Sequence, residues 1–288
     1  MDSADQRLGI VVVAHRTPRD LLDRAMARVA AAAPEARVVV VDTGGGPTVE
    51  RAASWPATLE AVATANHSYS RAVNVGLERL TTPYLVVMNA DVLVERDTFD
   101  RLLTAHRGDS RAGVVGPLAL TPEGRPQDLG LPYRLNYAAA RRSGESGASV
   151  SWLSGCLQLF DRDLYQTIGG YDESLRFFNE DLEFCLRARR AGRRCLLVVA
   201  PVVHVGGVST PAHPAFHVEG RRGGYVITQR YHSALHAFLH RGFLRAEALL
   251  GGWLARDDKA RAAHSAMARL LASGEWQHSP FGATLDDR

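Results

Sequence analysis

Cysteine, lysine and long apolar runs are all scarce in this chain. Its three cysteines, Cys156, Cys185 and Cys195, form no CxxC pair and are odd in number, which argues against a disulfide framework and a cysteine zinc site. Lys259 is the only lysine among 34 Lys and Arg residues, and the net charge is +3. With no basic block of the kind that tracks phosphates, no nucleic-acid partner is expected. LLVVAPVV, one of the longest apolar stretches, is interrupted by Pro201 and falls short of the roughly 20 residues a spanning helix needs. The start, MDSADQRLGIVVVAHR, is polar before a short apolar run and has no cleavage-type stretch behind it. It reads as the approach to a buried strand, so a cytoplasmic location is expected, with peripheral contact at the inner face of the membrane left open. A GxGxxG turn is missing where a dinucleotide site needs it: AHRTP follows the first strand, which speaks against a nicotinamide enzyme.

What the 288 residues do contain, 46% of them hydrophobic, is ample for a sizeable core. Leu8 to Ala14 is a continuous β-branched run, the pattern of a strand covered on both faces. TPRDLLDRAMARVAAAAP then suggests a helix with Thr17 as N-cap and Pro18 at its first position. RVVVVD, LEAVA and YLVVM continue as strands, with YSRAVNVGLERL and DTFDRLLTAHR as helices between and after them. This alternation predicts an α/β fold with a mostly parallel central sheet and helices on both faces. AGVVGPLAL and SWLSGCLQLF read as further strands, FFNEDLEFCLRARRAG as a helix and RCLLVVAPVVHV as a broken strand pair, while Asp128 to Val150 lacks periodicity and reads as a long loop. From about Phe216 onward the pattern is helical. The expected organisation is a catalytic unit over 1–211, its halves meeting near 115, and a helical C-terminal extension over 212–288.

Three places stand out chemically. Asp42 and Asn89-Ala90-Asp91 end parallel strands, and in open α/β sheets ligands bind beyond such ends. A lone Asp at a strand end is more often a solvated turn residue, and the shared location is what lifts Asp91 above that. Asn179, Glu180 and Asp181 open a helix, where acids serve either as caps or as a held general base. His204 closes an apolar strand before two glycines; for a lone His a structural role is the ordinary one.

The order VVVAHRTP, VVVVDTGGG, ANHSYSRAVNVGL, VVMNADV, WLSGCLQLFDRDLYQTIGGYDE, FFNEDLEFCLRARRAG and VVHVGGVS resembles the family 2 glycosyltransferases of GT-A fold, particularly their small rhamnosyltransferase-like branch, over roughly residues 8 to 210. The resemblance implies an inverting enzyme that moves a sugar from a nucleotide donor to an acceptor hydroxyl. It implies donor contacts from His15, Arg16, Thr17 and Asp42, from Asn66, Arg71 and Asn74, and from Asn89 and Ala90. It places Trp152, Leu153, Ser154 and Gly155 in a wall between donor sugar and acceptor, Asp181 as the base with Glu180 beside it, and Asp91 with His204 on a divalent ion, Mg²⁺ or Mn²⁺. Ser68 stands where the family usually has glycine, and Asn89 where it has the first acid of a D-x-D pair. The donor expected first is dTDP-rhamnose, with a UDP-hexose or UDP-N-acetylhexosamine next. A glycan, a lipid-linked saccharide or a secondary metabolite suits as acceptor, and oligomerisation is left open. Of the other classes, a sugar nucleotidyltransferase would want a glycine-rich, lysine-bearing loop after the first strand, which AHRTPRD does not provide. A non-catalytic glycan-binding module would not need Asp42, Asp91, Glu180, Asp181 and His204 together. For YHSALHAFLHRGFLRAEALLGGWLA, a helical hairpin packed on the core is favoured over an interfacial surface.

Overall fold

The computed structural model describes residues 8–45, 52–127, 131–144, 147–206 and 213–286. The boundary expected at 211/212 and the end of VVHVGGVS lie outside them. β1 (Leu8–Ala14) leads into α1 (Arg19–Ala32), β2 (Arg37–Asp42), β3 (Leu59–Ala63), α2 (Tyr69–Leu77) and β4 (Tyr84–Asn89). Then follow β5 (Val92–Leu93), α3 (Thr98–Gly108), β6 (Ala112–Leu120), α4 (Leu131–Ser143), β7 (Ala148–Val150) and β8 (Leu157–Asp161). α5 (Arg162–Ile168), α6 (Glu180–Arg190), β9 (Arg194–His204), α7 (Pro214–Tyr231), α8 (Ala234–Leu254) and α9 (Asp258–Ser273) complete the chain.

The strands form one sheet in the order β3-β2-β1-β4-β8-β6-β9-β5, with β7 beside β9. Pairing is parallel from β3 to β4 and again between β6 and β9, whereas β8 runs antiparallel to both neighbours. Alternation along the strands separates two cores. Leu8, Ile10 and Val12 of β1 with Val86 and Met88 of β4 meet α1 and α3 through Leu22, Met26, Phe99 and Leu102. Val11, Val13, Leu85 and Val87 face the other way, onto Ala72, Val73 and Leu77 of α2 and Phe184 of α6. Gly76 permits the close approach of α2: a Cβ there would come within 2.4 Å of Val11 Cγ1.

Some expected elements take a different form. Asp128–Val150 is not a loop: α4 and β7 occupy most of it, apart from residues 128–130 and 145–146, which lie outside the described chain. α4 hides a sparse stripe, Tyr137 and Ala140, and the Tyr137 hydroxyl donates to the carbonyl of Ala119. Among the side chains of α4 described from Leu135 onward only Tyr137 and Ala140 are buried, too short a pattern to show helical periodicity. SWLSGCLQLF is strand only from Leu157. Thr17 does not cap α1; Pro18 occupies that position with no side-chain cap. The strand pair around Pro201 is the single strand β9, whose register against β6 shifts between Pro117 and Ala119, leaving the proline at an irregularity where its missing N–H does no harm.

Candidate active site

The register of β1 with β2 and β4 sets Ala14 beside Asp42 and Val13 beside Asn89, so three strand ends reach one edge. Beyond them lies a cavity of about 550 Å³, within the range of small-ligand sites. His15, Asn66, Asn89, Ala90, Asp91, Trp152, Ser154, Gly155, Glu180, Asp181 and His204 all border it; these are the residues that the sequence marked and that meet here.

One corner joins Asp91 to His204. Antiparallel pairing of β5 with β9 puts Val92 opposite His204, which carries the imidazole Nε2 to 3.3 Å from Asp91 Oδ1. The carboxylate is steadied by the Gly206 N–H on Oδ2 at 3.1 Å. On its far side the ring meets Gln127 Oε1 at 3.0 Å through Nδ1. If Nδ1–H donates there, the Nε2 lone pair is left facing Asp91. Among the described residues no third His, Cys, Asp or Glu joins this pair. One carboxylate oxygen and one imidazole nitrogen suit Mg²⁺ or Mn²⁺ when a ligand supplies the remaining oxygens, so the residues fit a metal shared with a diphosphate. Asn89 does not turn its oxygen to this corner: Oδ1 accepts from the Tyr69 hydroxyl at 2.8 Å. Burial, then the fields of Glu180 and Asp181, raise the Tyr69 phenol well above its usual range, so it stays a donor.

A second part of the cavity wall is built by a strained turn. Phe178 (φ 65°) and Asn179 (φ 67°) both adopt the left-handed region just before α6, a conformation that costs non-glycine residues on the order of 1–3 kcal/mol each. Asn179 contributes no side-chain cap to the helix; its amide instead donates to the carbonyl of Gly220 in α7 at 2.8 Å. The turn delivers the next two residues into the cavity. Asp181 Oδ2 accepts from the Gly155 N–H at 2.7 Å and Oδ1 from the Leu182 N–H at 2.7 Å. Gly155 must be small, because a Cβ would lie 3.1 Å from Asp181 Cβ. The same bond explains why Trp152–Cys156 leaves the sheet.

Burial raises the Asp181 carboxyl, and hydrogen bonds from Gly155, Leu182 and the Trp152 side chain oppose the rise. Glu180 has less help. It is buried, its Oε2 finds no hydrogen-bond partner among the described residues, and burial followed by the Asp181 charge pushes it well above the carboxylate range. Asp181 is therefore the anion of the pair and Glu180 the group that keeps its proton longer. A carboxyl raised on folding loses stability as pH climbs through its unfolded value, about 4.3 for Glu, toward its folded one. Glu180→Gln should consequently melt at a higher temperature than the native protein at neutral pH, with the gain vanishing below about pH 4. Thermal unfolding across that range checks it; a variant that melts lower at pH 7 would contradict the assignment. Cys156, also in the cavity wall, is pushed by burial to about 12 and is a neutral thiol.

The remaining sequence-marked residues lie elsewhere. Thr17, Asp42, Arg71, Asn74 and Leu153 do not border the cavity, and neither does Arg16. Asp42 accepts from the Gly44 N–H at 2.8 Å. Asn74 ties α2 to the Tyr171 backbone with bonds of 2.9 and 2.8 Å, a structural task, and Arg71 pairs with Glu173 at 3.2 Å in a neighbouring hollow. Leu153 is core. Ser68, in the usual glycine position, caps α2 by accepting from the Arg71 N–H at 2.9 Å.

Other cavity residues were not singled out as site residues in the sequence, although Phe177 and Phe178 directly precede Asn179. Phe177, Phe178 and Phe216 line one side, and Leu285 arrives from the C-terminal tail, its N–H bonded to the Asn66 carbonyl at 2.7 Å. Beside it Asp286 reaches Arg16 at 3.3 Å and Asn66 Nδ2 at 3.3 Å, so the chain end straps across the β1 end of the cleft. A contact between residues more than 200 positions apart leaves no local pattern to read.

Comparison with known proteins fits this geometry. The profile described as "Glycosyl transferase family 2" matches residues 9–169, more than half of the chain. The N-acetylglucosaminyl-diphospho-decaprenol L-rhamnosyltransferase of Mycobacterium tuberculosis is 27% identical over 259 residues, covering 77% of this chain and 84% of that one. The low-salt glycan biosynthesis hexosyltransferase Agl10 of Haloferax volcanii is 25% identical over 194 residues, 64% of this chain and 62% of that one. Among solved structures, the mannosyltransferase PcManGT of Pyrobaculum calidifontis in complex with GDP-Man and Mn²⁺ superposes with TM-score 0.56 at 17% identity, covering 93% of this chain and 86% of that one. TarS of S. aureus gives TM-score 0.56 at 13% identity, over 93% and 55% of the two chains. The chain belongs to glycosyl transferase family 2 and is a nucleotide-sugar-dependent glycosyltransferase of GT-A fold.

Proposed function

We propose that the protein transfers L-rhamnose from dTDP-rhamnose, with inversion, to a hydroxyl of a lipid-linked saccharide. The observation that carries the reaction is that one cavity is lined both by Asp91 with His204 and by Asp181 with Glu180. The sugar and acceptor are supported by the mycobacterial relative, an N-acetylglucosaminyl-diphospho-decaprenol L-rhamnosyltransferase. The hexosyltransferase relative and the mannosyltransferase neighbour favour a second reading, the same transfer from a hexose donor.

Inverting transfer needs an acceptor hydroxyl on the sugar face opposite the leaving diphosphate, and a base there. Asp181, ionised and fixed by two backbone N–H groups, takes the hydroxyl proton as the oxygen attacks the anomeric carbon. Glu180, with Oε2 free, holds the acceptor by a hydrogen bond. Trp152 and Ser154, in the wall of the same cavity, flank the sugar. Asp91 and His204 would hold a divalent ion, and Mg²⁺ or Mn²⁺ there would supply Lewis-acid neutralisation of the departing diphosphate. Asn89 positions Tyr69 rather than the ion.

The experiment is thermal shift and nucleotide release with dTDP-rhamnose, UDP-hexoses, UDP-N-acetylhexosamines and GDP-mannose, each with and without Mn²⁺. dTDP-rhamnose should bind best. Asp91→Ala should weaken Mn²⁺-dependent donor binding by about tenfold or more, the loss of one charged ligand at 1.4 kcal/mol per decade. Preference for a hexose donor would replace rhamnose with the second reading. Equal donor binding by Asp91→Ala would remove the metal role.

A further inference from the structure

α8 spans 21 residues, Ala234–Leu254, about 30 Å of helix. A narrow stripe, Leu244 and Ala248, is buried against Val218 and Tyr225 of α7 and Met267 and Leu271 of α9. A helix packed on one side only should carry polar residues on the other. Instead Leu235, Phe238, Leu239, Phe243, Leu249, Leu250, Trp253 and Leu254 are all exposed, Phe238 to 73% and Trp253 to 82%. At 100° per residue these eight side chains, with Gly242 and Ala246, sweep roughly 160° of arc without a charge. Aromatic side chains present about 150–250 Å² each. The three here, at their exposures, alone approach the few hundred Å² that a monomer's largest patch usually reaches, and five leucines extend it.

Around this face the cations outnumber the acids, Arg245, Arg256, Lys259 and Arg261 against Glu247, Asp257 and Asp258. Arg245 is exposed at its edge, His236 stands at the other edge, and Arg256 and Lys259 follow the helix end, all open to solvent. The only acid of α8, Glu247, is paired with Arg221 at 2.5 Å. Just beyond α8, Asp257 caps α9 through the Ala260 N–H and Asp258 is paired with Arg261 at 2.6 Å.

We propose that this face of α8 lies on an anionic lipid surface, with Phe238, Phe243 and Trp253 in the headgroup boundary and the cations at the rim against lipid phosphates. Two features favour lipid over a second copy of the chain. One facing helix covers a seam of two positions in seven, far narrower than this arc. A twofold axis at mid-helix would also set Arg245 against its own copy. No described helix is long and apolar enough to cross a membrane, so the contact is one of lying on the surface. Binding to vesicles does not depend on which donor or acceptor the enzyme uses.

The full chain should co-sediment with vesicles of phosphatidylcholine and phosphatidylglycerol at least about tenfold more strongly than with phosphatidylcholine alone. The triple variant Phe238→Gln, Phe243→Gln, Trp253→Gln should lose that binding while keeping its melting temperature and its donor-induced thermal shift, since all three positions are exposed. Arg245→Glu should weaken only the anionic component. Native protein that stays in the supernatant with both vesicle types overturns the proposal. So does a concentration-dependent dimer, seen by sedimentation velocity, that the triple variant abolishes.

Discussion

Asp181→Asn should transfer sugar about 10²–10⁴-fold more slowly than the native enzyme, the range that a positioned general base contributes, with donor affinity unchanged. The exchange is nearly isosteric, yet an amide has one acceptor oxygen where the carboxylate offers two. Either the Gly155 or the Leu182 N–H, each 2.7 Å from the carboxylate, then faces an NH₂ group. A modest loss of stability is expected with the loss of turnover, so rates must be compared well below the variant's melting transition, where a loss confined to kcat in folded enzyme marks chemistry. The pH profile adds a second readout. The base works ionised, and burial raises Asp181 above its usual range. Activity in the native enzyme should therefore fall on an acid limb above about pH 3.9, the ordinary aspartate value. Transfer by Asp181→Asn at the native rate would sink the assignment, and the unpartnered Glu180 would become the candidate base.

The parallel half of the sheet was legible because β1, β2 and β4 are short, apolar, rich in β-branched residues and mostly buried on both faces, whereas the half-exposed β3 carried a weaker signal. The far half was harder. β8 leaves only Leu157–Asp161 as strand, because the residues before it turn out toward Asp181. The site divided in the same way. Asp91, His204, Glu180 and Asp181 end strands or open a helix, so local pattern and resemblance pointed to them, and the structure brings them to one cavity. Arg71 and Asn74 matched the same motif, but their partners are Glu173 and the Tyr171 backbone. A motif does not reveal which face of its helix meets the ligand and which meets the next loop. Phe216, Leu285 and Asp286 come from the C-terminal part, which carried no recognisable motif, and only tertiary packing delivers them.

The C-terminal part meets residues 172–190 through two apolar clusters and several polar bonds, and with them through a buried ion pair on α7 whose loss should strongly lower stability. Arg222 and Glu219 on α7 are 1% and 0% exposed. Their carboxylate and guanidinium meet at 2.6 and 2.9 Å. Arg222 also donates to the carbonyls of Trp276 and Ser174 at 3.0 and 2.6 Å. Glu219 in turn accepts from the Arg176 N–H at 3.1 Å and the Ser279 hydroxyl at 2.9 Å. Helix, C-terminal tail and the segment leading to the strained Phe178–Asn179 turn thus share one hub. Arg222→Ala leaves a buried carboxylate without its cation, which costs about 3–5 kcal/mol. At about 2–4 °C per kcal/mol for a domain of this size, the melting temperature should drop by roughly 10 °C. Glu219→Met with Arg222→Leu removes both charges and should recover part of the loss, because the desolvated anion is then gone. Because Arg176 lies five residues before Asp181, Arg222→Ala should also lower kcat well below its own melting point. A variant that melts within about 1 kcal/mol of native, or turns over normally, would mean that the turn presenting Glu180 and Asp181 is held by its own strand and helix and not by the hub.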